Sequence, residues 1–598
     1  MKKGVVMHKQ KRNGLTIINK LFLIGSISAG VLIGGLSNAF AATTITVDST
    51  LDFADADSSN YDNYTCDFTS GAFFFPAPNN KCTLRRAVLE AGVRPDGDRP
   101  ITINFDIPES DPNYNSTLKI WEVQIDSHPT SSSTAGSDWI INRRNISDDG
   151  GQITIDGGTR PSGGPAIMIN TNSDNNPLAG GSLQIYTSNN TIRNLGFHGG
   201  GQIILYEGNN LVENIWMGLS NDGLTMKLAS TADSQAKRSM ARGGIIMPNA
   251  DSDNNIIRHN RIIGAFERAI RIIQSNTNGN LIEDNFIGMN ANGDVPVPSL
   301  IDCSRDSDYN PALWYGGRAI QVFGSNNTIR NNRMAGLHVT QSANDTPPIS
   351  MEIYGVGNTV QGNIVGIDAN GKKVGICGQG LLFGGTESTA TENTFYFTRN
   401  GFEPNDVGDE NDAAILTQSF TGQGNGDPDR WLKVWNNIID GGDNNEANYH
   451  AYRFAGPGVN DDLRKFIPAK ITSISGTTVS GTNGDRLFPI TVDPFCPNCT
   501  VFLYLDDVDD RIESFELLGT AVADSNGDWT TTISRQLKGG EGIRTQSMAN
   551  DNQTMVADTV PPVRHYAAQT TTRLSDILYT DSVSTIIPII MLLLLDGE

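Results

Sequence analysis

Between Asn255 and Gly264 the chain reads NIIRHNRIIG, and the same phrase returns as NTIRNLGFHG from Asn190, NLVENIWMG from Asn210, NLIEDNFIG from Asn280, NTIRNNRMAG from Asn327 and NTVQGNIVG from Asn358. Each copy opens on Asn, sets Ile or Val at its third position, puts a charged or polar residue at its fourth and closes on Gly. Successive starts lie 20, 45, 25, 47 and 31 residues apart. If each long gap hides a degenerate copy, the unit is roughly 20 to 30 residues, the period of a solenoid. Apolar runs of three or four residues broken by Gly and Asn, which tolerate left-handed turns, are too short and too polar for a helical pair. Each copy reads as one coil of a parallel β-helix. Stacking buries the inward aliphatic residues, and Asn at equivalent turns can line up and bond to the next coil.

The fourth positions are Arg193, Glu213, Arg258, Glu283, Arg330 and Gln361. With coils in register they form one column, about 4.8 Å from coil to coil. Either this is a charged stripe that grips a polysaccharide, or it is a ladder of compensating surface pairs that sets register. Alternating sign cancels the field a ligand would feel, which favours the ladder.

Residues 1–41 have the form of a secretory signal: Lys2, Lys3, Lys9, Lys11, Arg12 and Lys20 precede an apolar run from Leu21, and Ala39-Phe40-Ala41 is a small-x-small cleavage site. Removing these six basic residues moves the formal charge from −22 to about −28, which argues against nucleic acid or an anionic membrane as partner. An acidic exported chain rich in Gly and Asn suits a bacterial surface, periplasm or exterior. The six cysteines fall in sequence-local sets, Cys66 with Cys82, Cys303 with Cys377 and Cys496 with Cys499. That order suggests three disulfides, although six cysteines permit 15 connectivities. The Cys496–Cys499 pair has no second CxxC or nearby His for zinc and no βαβ pattern for redox chemistry, which leaves a short structural loop. The apolar end IIPIIMLLLL, Ile586 to Leu595, is about half the length needed to span a bilayer. It reads as a docking strand or partner-binding end, with a membrane anchor as the weaker reading, so no transmembrane span is expected in the mature chain.

After the signal, TTITVDST alternates as a strand, and CTLRRAVLEAG from Cys82 to Gly92 sets Leu84, Ala87, Val88 and Ala91 at helical spacing, with Gly92 suited to a C-cap. A solenoid needs its open end covered, and such a helix would cover it. This segment resembles the CSLREA motif of secreted bacterial proteins, C-[ST]-L-R-x-A-[IV]-x-x-A-N, matched by Cys82, Thr83, Leu84, Arg85, Ala87, Val88 and Ala91, with Gly92 in place of Asn. The family's layout is similar too: a signal, this motif, then right-handed parallel β-helix repeats with IGxDAxG-type turns, here IGMNANG from Ile287 and VGIDANG from Val365. The resemblance covers about residues 45 to 400 and implies a pectate-lyase-like fold. It says little of activity, since members resemble both polysaccharide-active enzymes and adhesins.

From about Ala469 short alternating strands separated by Asn-Gly and Asp-containing turns suggest a β-sandwich. It resembles bacterial immunoglobulin-like modules, with Leu518, Gly519, Ala523, Asp524, Gly527 and Trp529 matching their L-G-x-x-x-A-D-x-x-G-x-[WF] hairpin. The expected order is therefore a signal (1–41), an N-terminal cap (42–125), a parallel β-helix (126–465), an immunoglobulin-like β-sandwich (466–560) and a tail (561–598). Residues 402–465 read either as terminal coils or as an insertion.

Chemistry is sparse. A β-helix enzyme on acidic polysaccharide needs calcium-binding carboxylates with an Arg or Lys base, or Asp pairs for hydrolysis. Asp302, Arg305, Asp306 and Asp308 could supply these from a non-repetitive loop, and Trp314 and Tyr315 could stack on a sugar; the competing reading is a surface loop tied by Cys303. His198, His259 and His338 fall in or beside the repeats without any HExxH pattern. His259 could act as a base, but a turn histidine explains it as well. Asp506, Asp507, Asp509 and Asp510, with Asp524, Asn526 and Asp528 of the hairpin, could bind calcium or simply form polar turns. No cofactor is required, and calcium is the one ion these segments would suit. The reading as a whole is an all-β, secreted or cell-surface solenoid that binds a polysaccharide or host glycan. The alternative is a polysaccharide lyase or glycoside hydrolase.

Overall fold

Three sheets, parallel except for the antiparallel first strand of one, wrap one apolar core, so the chain is a right-handed parallel β-helix. The computed structural model describes residues 42–51, 66, 81–125, 139–141, 150–171, 181–198, 201–227, 243–265, 268–295, 319–337, 349–376, 378–384, 387–396, 398, 413–418, 432–441, 450–455, 469–483, 498–507, 513–550, 555–556 and 571–573. The signal segment therefore lies outside the described residues. Sheet A runs through eleven strands from Thr43–Val47 to Leu432–Trp435, sheet B through eleven from Tyr114–Asn115 to Ile438–Asp440, and sheet C through ten from Trp139–Ile141 to His450–Ala455. A typical coil passes Leu211–Glu213 in A, Trp216–Met217 in B and Gly243–Met247 in C, then re-enters A at Ile256–Arg258.

The phrase occupies the A-to-B half of each coil. Its third residue points inward, and Ile45, Ile103, Ile155, Ile192, Val212, Ile257, Ile282, Ile329, Val360, Ala390 and Val434 form one buried file. The fifth residue turns the corner in left-handed conformation in every coil from Asn194 to Asn436, with φ between 53° and 65° at Asn194, Asn214, His259, Asp284, Asn331, Gly362, Glu392 and Asn436. This is why Asn, Asp and Gly recur there.

Two asparagine ladders run alongside. The Oδ1 atoms of Asn210, Asn255, Asn280, Asn327 and Asn358 each accept the backbone N–H of the Asn one coil earlier, at 2.8–2.9 Å. Asn260, Asn285, Asn332, Asn363, Asn393 and Asn437 form the second ladder at the sheet A to sheet B corner.

The 45- and 47-residue gaps hide no copy. Leu211 pairs directly with Ile256 and Leu281 with Thr328, so each gap is a single coil with extra chain between its sheet B and sheet C strands. The repeat also continues beyond the copies legible in the sequence, at Ser388–Thr391 and Leu432–Trp435, and the 402–465 region holds terminal coils. The charged column is in register but resolves into discrete pairs: Arg193 with Asp156 (2.8 Å), Arg258 with Glu213 (2.7 Å) and Arg330 with Glu283 (2.6 Å).

Both ends are covered. At the start, helix α1 (Leu84–Val93) packs Leu84, Ala87, Val88 and Ala91 into the core, and the Thr83 side chain caps it by accepting the Arg86 N–H. Gly92 does not end the helix as expected. It is buried inside, and Arg94 is the C-cap. The Arg99 guanidinium, buried beside it, donates to the carbonyls of Ala91 and Arg94. The Cys66–Cys82 disulfide forms as expected; Cys499 is disulfide-bonded too, while Cys303, Cys377 and Cys496 lie outside the described residues.

At the other end, two antiparallel sheets share a core around Val479, Val501, Leu503, Leu518 and Trp529, the expected sandwich. It seats on the last coil. Ser514 and Ile439 exchange backbone hydrogen bonds, Asn436 N–H donates to Tyr504 Oη (2.7 Å), and Gln546 Nε2 donates to Val434 O (2.7 Å). Val434, Asn436 and Ile439 of the final coil thus find partners where sheets A and B would otherwise end in an open edge.

Candidate functional site

Sheet A carries half-exposed ion pairs on its outer face. Over sheet B fold loops whose Leu219, Met289 and Val374 join Trp216 and Tyr396 in a second apolar cluster. Arginines fasten these loops: Arg160 lies over the Trp216 ring and Arg261 over that of Phe286, while Arg261 Nε donates to Ala291 O (2.8 Å) and Arg333 Nη1 to Asp368 O (3.0 Å). Near the start of sheet B, Glu122 accepts from Asn221 (2.8 Å), Asn170 (3.1 Å) and Gln124 (3.0 Å), with His198 Nε2 at 4.0 Å. Burial pushes its carboxyl up, but the Asn221 hydrogen bond, His198 and the Asn170 bond outweigh that, and Glu122 titrates below the usual glutamate range.

Sheet C differs. Ile203 and Leu205, Ile270 and Ile272, Ile320 and Val322, and Met351 and Ile353 point into the core. The residues between them make one outer column in continuous register, Gln184, Ile204, Ile246, Arg271, Gln321, Glu352 and Leu382. Its centre is polar and enclosed. Glu352, 8% exposed, accepts from Gln321 Nε2 (2.6 Å) and Tyr354 Oη (3.1 Å), with Arg268 Nη2 at 3.9 Å. Gln321 is 1% exposed, and its Oε1 has no hydrogen-bond partner; neither has the buried Nε of Arg271, its in-register neighbour. Beside the column run stacked aromatic pairs, Tyr186 on Tyr206 (centroids 4.0 Å apart) and Phe323 on Tyr354 (5.0 Å). Tyr186 Oη donates to Gln184 (3.0 Å) as Tyr354 does to Glu352, so both ends of the face repeat one arrangement.

Topology adds a second reason to look here. The extra chain of the irregular coils leaves sheet B and returns at the start of a sheet C strand, before Gly243–Met247, Ile320–Val322, Ile349–Ile353 and Ala413–Gln418. Loops of variable length on a rigid scaffold are where binding and catalytic groups concentrate. In sequence, Asp302, Arg305, Asp306, Asp308, Trp314 and Tyr315 belong to the insertion that immediately precedes Gln321; all six lie outside the described residues. The sequence signal that could have found the site is charge and amide inside apolar strands, RAIRI, IQV and ISMEI.

The acidic candidates of the sandwich are described in part. Asp506 is buried on the strand Thr500–Asp507, opposite Gly542, and Asp507 faces Glu541, while Asp509 and Asp510 lie outside the described residues. Asp524 Oδ1 accepts the N–H groups of Asn526 and Asp528, a polar hairpin turn. Among the described residues no group of three or more His, Cys, Asp or Glu could hold a metal ion. His259 sits at a left-handed turn, 4.0 Å from Asp284, and His338 lies outside the described residues.

No family model matches this chain, and no curated protein does. Among solved structures, an alginate lyase, AlyF-OU02 with G6, is 14% identical over 53% of this chain and 64% of the lyase, with a TM-score of 0.26. Tailspike protein variants of E. coli bacteriophage HK620 in complex with pentasaccharide are 11% and 10% identical over 80% and 81% of this chain and 90% and 92% of theirs, with TM-scores of 0.26 and 0.27. Likeness this distant says nothing of the chain's activity. Its fold is read from its own ladders.

Proposed function

We propose that the chain is an exported bacterial β-helix protein that binds glycan on the outer face of sheet C. The observation that carries this reading is the enclosed polar cluster of Arg268, Arg271, Gln321 and Glu352, in which a buried donor and a buried acceptor await partners. Buried polar atoms are costly to leave unpaired, and a polyhydroxylated ligand offers both donors and acceptors. Export is supported by the signal-like segment 1–41 and the Cys66–Cys82 disulfide. The CSLREA-like α1 and the immunoglobulin-like reading of the C-terminal sandwich suit the same setting, at the cell surface or beyond it. Among the described residues no helix is long and apolar enough to cross a membrane.

The second reading, a lyase or hydrolase, is favoured by the position of Asp302, Arg305, Asp306 and Asp308 in the insertion before Gln321. Glu352 is the one carboxylate of the described cluster, whereas hydrolysis by inversion or retention uses two. Incubating the mature protein with polyuronides and neutral glycans, with and without calcium, separates the readings. Saturable binding without unsaturated products or new reducing ends is expected, and sustained turnover of any glycan would replace the adhesive reading with the enzymatic one.

A further inference from the structure

Gln321 and Arg271 stand side by side on neighbouring strands of sheet C, in register. The Gln321 amide is fixed from one side, because its Nε2 donates to Glu352 Oε2 at 2.6 Å. Its Oε1 is therefore presented as an oriented acceptor, and it is buried without a partner. The Arg271 Nε–H is a buried donor without a partner, on the neighbouring strand in register, where backbones are about 4.8 Å apart. From this pair we infer that the site on sheet C selects a neutral glycan group that both donates and accepts a hydrogen bond, a hydroxyl pair or an acetamido group, in preference to a carboxylate.

The inference rests on the glycan-binding reading and sharpens it. A carboxylate would satisfy Arg271 but has no proton to give, so Gln321 Oε1 would stay buried, unpaired and facing an anion. The Glu352 carboxylate, tied to the far side of the same amide, is itself paired with Arg268 Nη2 at 3.9 Å. The whole chain, at −22, also repels a polyanion over longer range. A hydroxyl pair or an acetamido group meets both atoms at once: its oxygen accepts from Arg271 and its O–H or N–H donates to Gln321.

Calorimetric titration of the mature protein with three oligosaccharide sets of matched length tests this: hydroxyl-only, N-acetylated and uronate. Either neutral set should bind at least about tenfold more tightly than the uronates, with the better of the two identifying the group. Arg271→Lys keeps the charge but moves the donor, and should weaken neutral-glycan binding about tenfold or more with an unchanged thermal midpoint. Uronates binding most tightly, or Arg271→Lys binding as well as the parent, would overturn the inference while leaving the glycan-binding reading in place. If none of the three sets binds, both fall.

Discussion

Asn332 shows how one side chain joins three coils. Its Oδ1 accepts from the Asn285 backbone N–H (3.1 Å) and side chain (2.9 Å), its Nδ2 donates to Ile282 O (2.9 Å), and its own N–H passes to Asn363 Oδ1 (3.0 Å). The residue is fully buried, so Asn332→Ala takes the partner from two donors of Asn285 and one acceptor, Ile282 O, away from water. The expected cost is about 3 kcal/mol, read as a lower urea midpoint at unchanged slope. Glu122 carries the pH dependence at this scale. Its folded carboxyl titrates below the usual range, so the stability it confers is present above the ordinary glutamate pKa and lost as pH falls through the lowered folded value. Glu122→Gln should therefore flatten the fall of the thermal midpoint in acid below that range and leave the slope near neutral pH unchanged. An acid limb identical to the parent's would show that the Asn170–Asn221–Glu122 network is not what holds that carboxyl down.

At the scale of elements, the described loops over sheet B close on one backbone turn, with Arg160, Ser220, Asn290 and Asp368 at its first position. In the loop at Asn290, Oδ1 accepts the N–H groups of Asn292 and Asp294, and Nδ2 donates to Leu224 O in the loop one step earlier. Asp368 occupies the same place in the next loop, where its Oδ1 likewise accepts from Asn370 and Lys372. Its Oδ2 stands where the amide would be, 0% exposed and without a partner. Asp368→Asn should restore the donor and raise stability by about 1 kcal/mol, visible as a higher thermal midpoint; a lower midpoint would mean the carboxylate has a role the loop comparison misses. These elements also show what the sequence could disclose. The Asn, Ile and left-handed corner positions were legible because each coil must solve the same turn with the same chemistry. The true length of a coil was not, since insertions between sheets B and C stretch the spacing without adding a coil: the distance from Asn210 to Asn255 looks like two units and is one. Gly92 misled for a similar local reason, because tertiary burial of α1 carries the helix past a residue that would otherwise stop it.

Over the whole molecule, a stack of coils has two raw ends and three flanks, and its own chain accounts for most of them. α1 closes the first coil. The sandwich closes the last through Tyr504, Ser514 and Gln546, so it serves the solenoid as well as following it. Half-exposed ion pairs line the flank of sheet A and stacked loops cover that of sheet B, and we propose that a partner meets the polar cluster of sheet C. That conclusion could not be drawn from the sequence. Arg271, Gln321 and Glu352 lie 50 and 31 residues apart in chain order and become neighbours only once the insertions between them are assigned to loops. Hydrogen–deuterium exchange of the mature protein, with and without its best-binding glycan, tests the location most directly. Protection confined to residues 268–273, 319–323 and 349–354 is the predicted result, and protection centred on the sheet A column from Arg193 to Gln361, or on the sandwich, would contradict it.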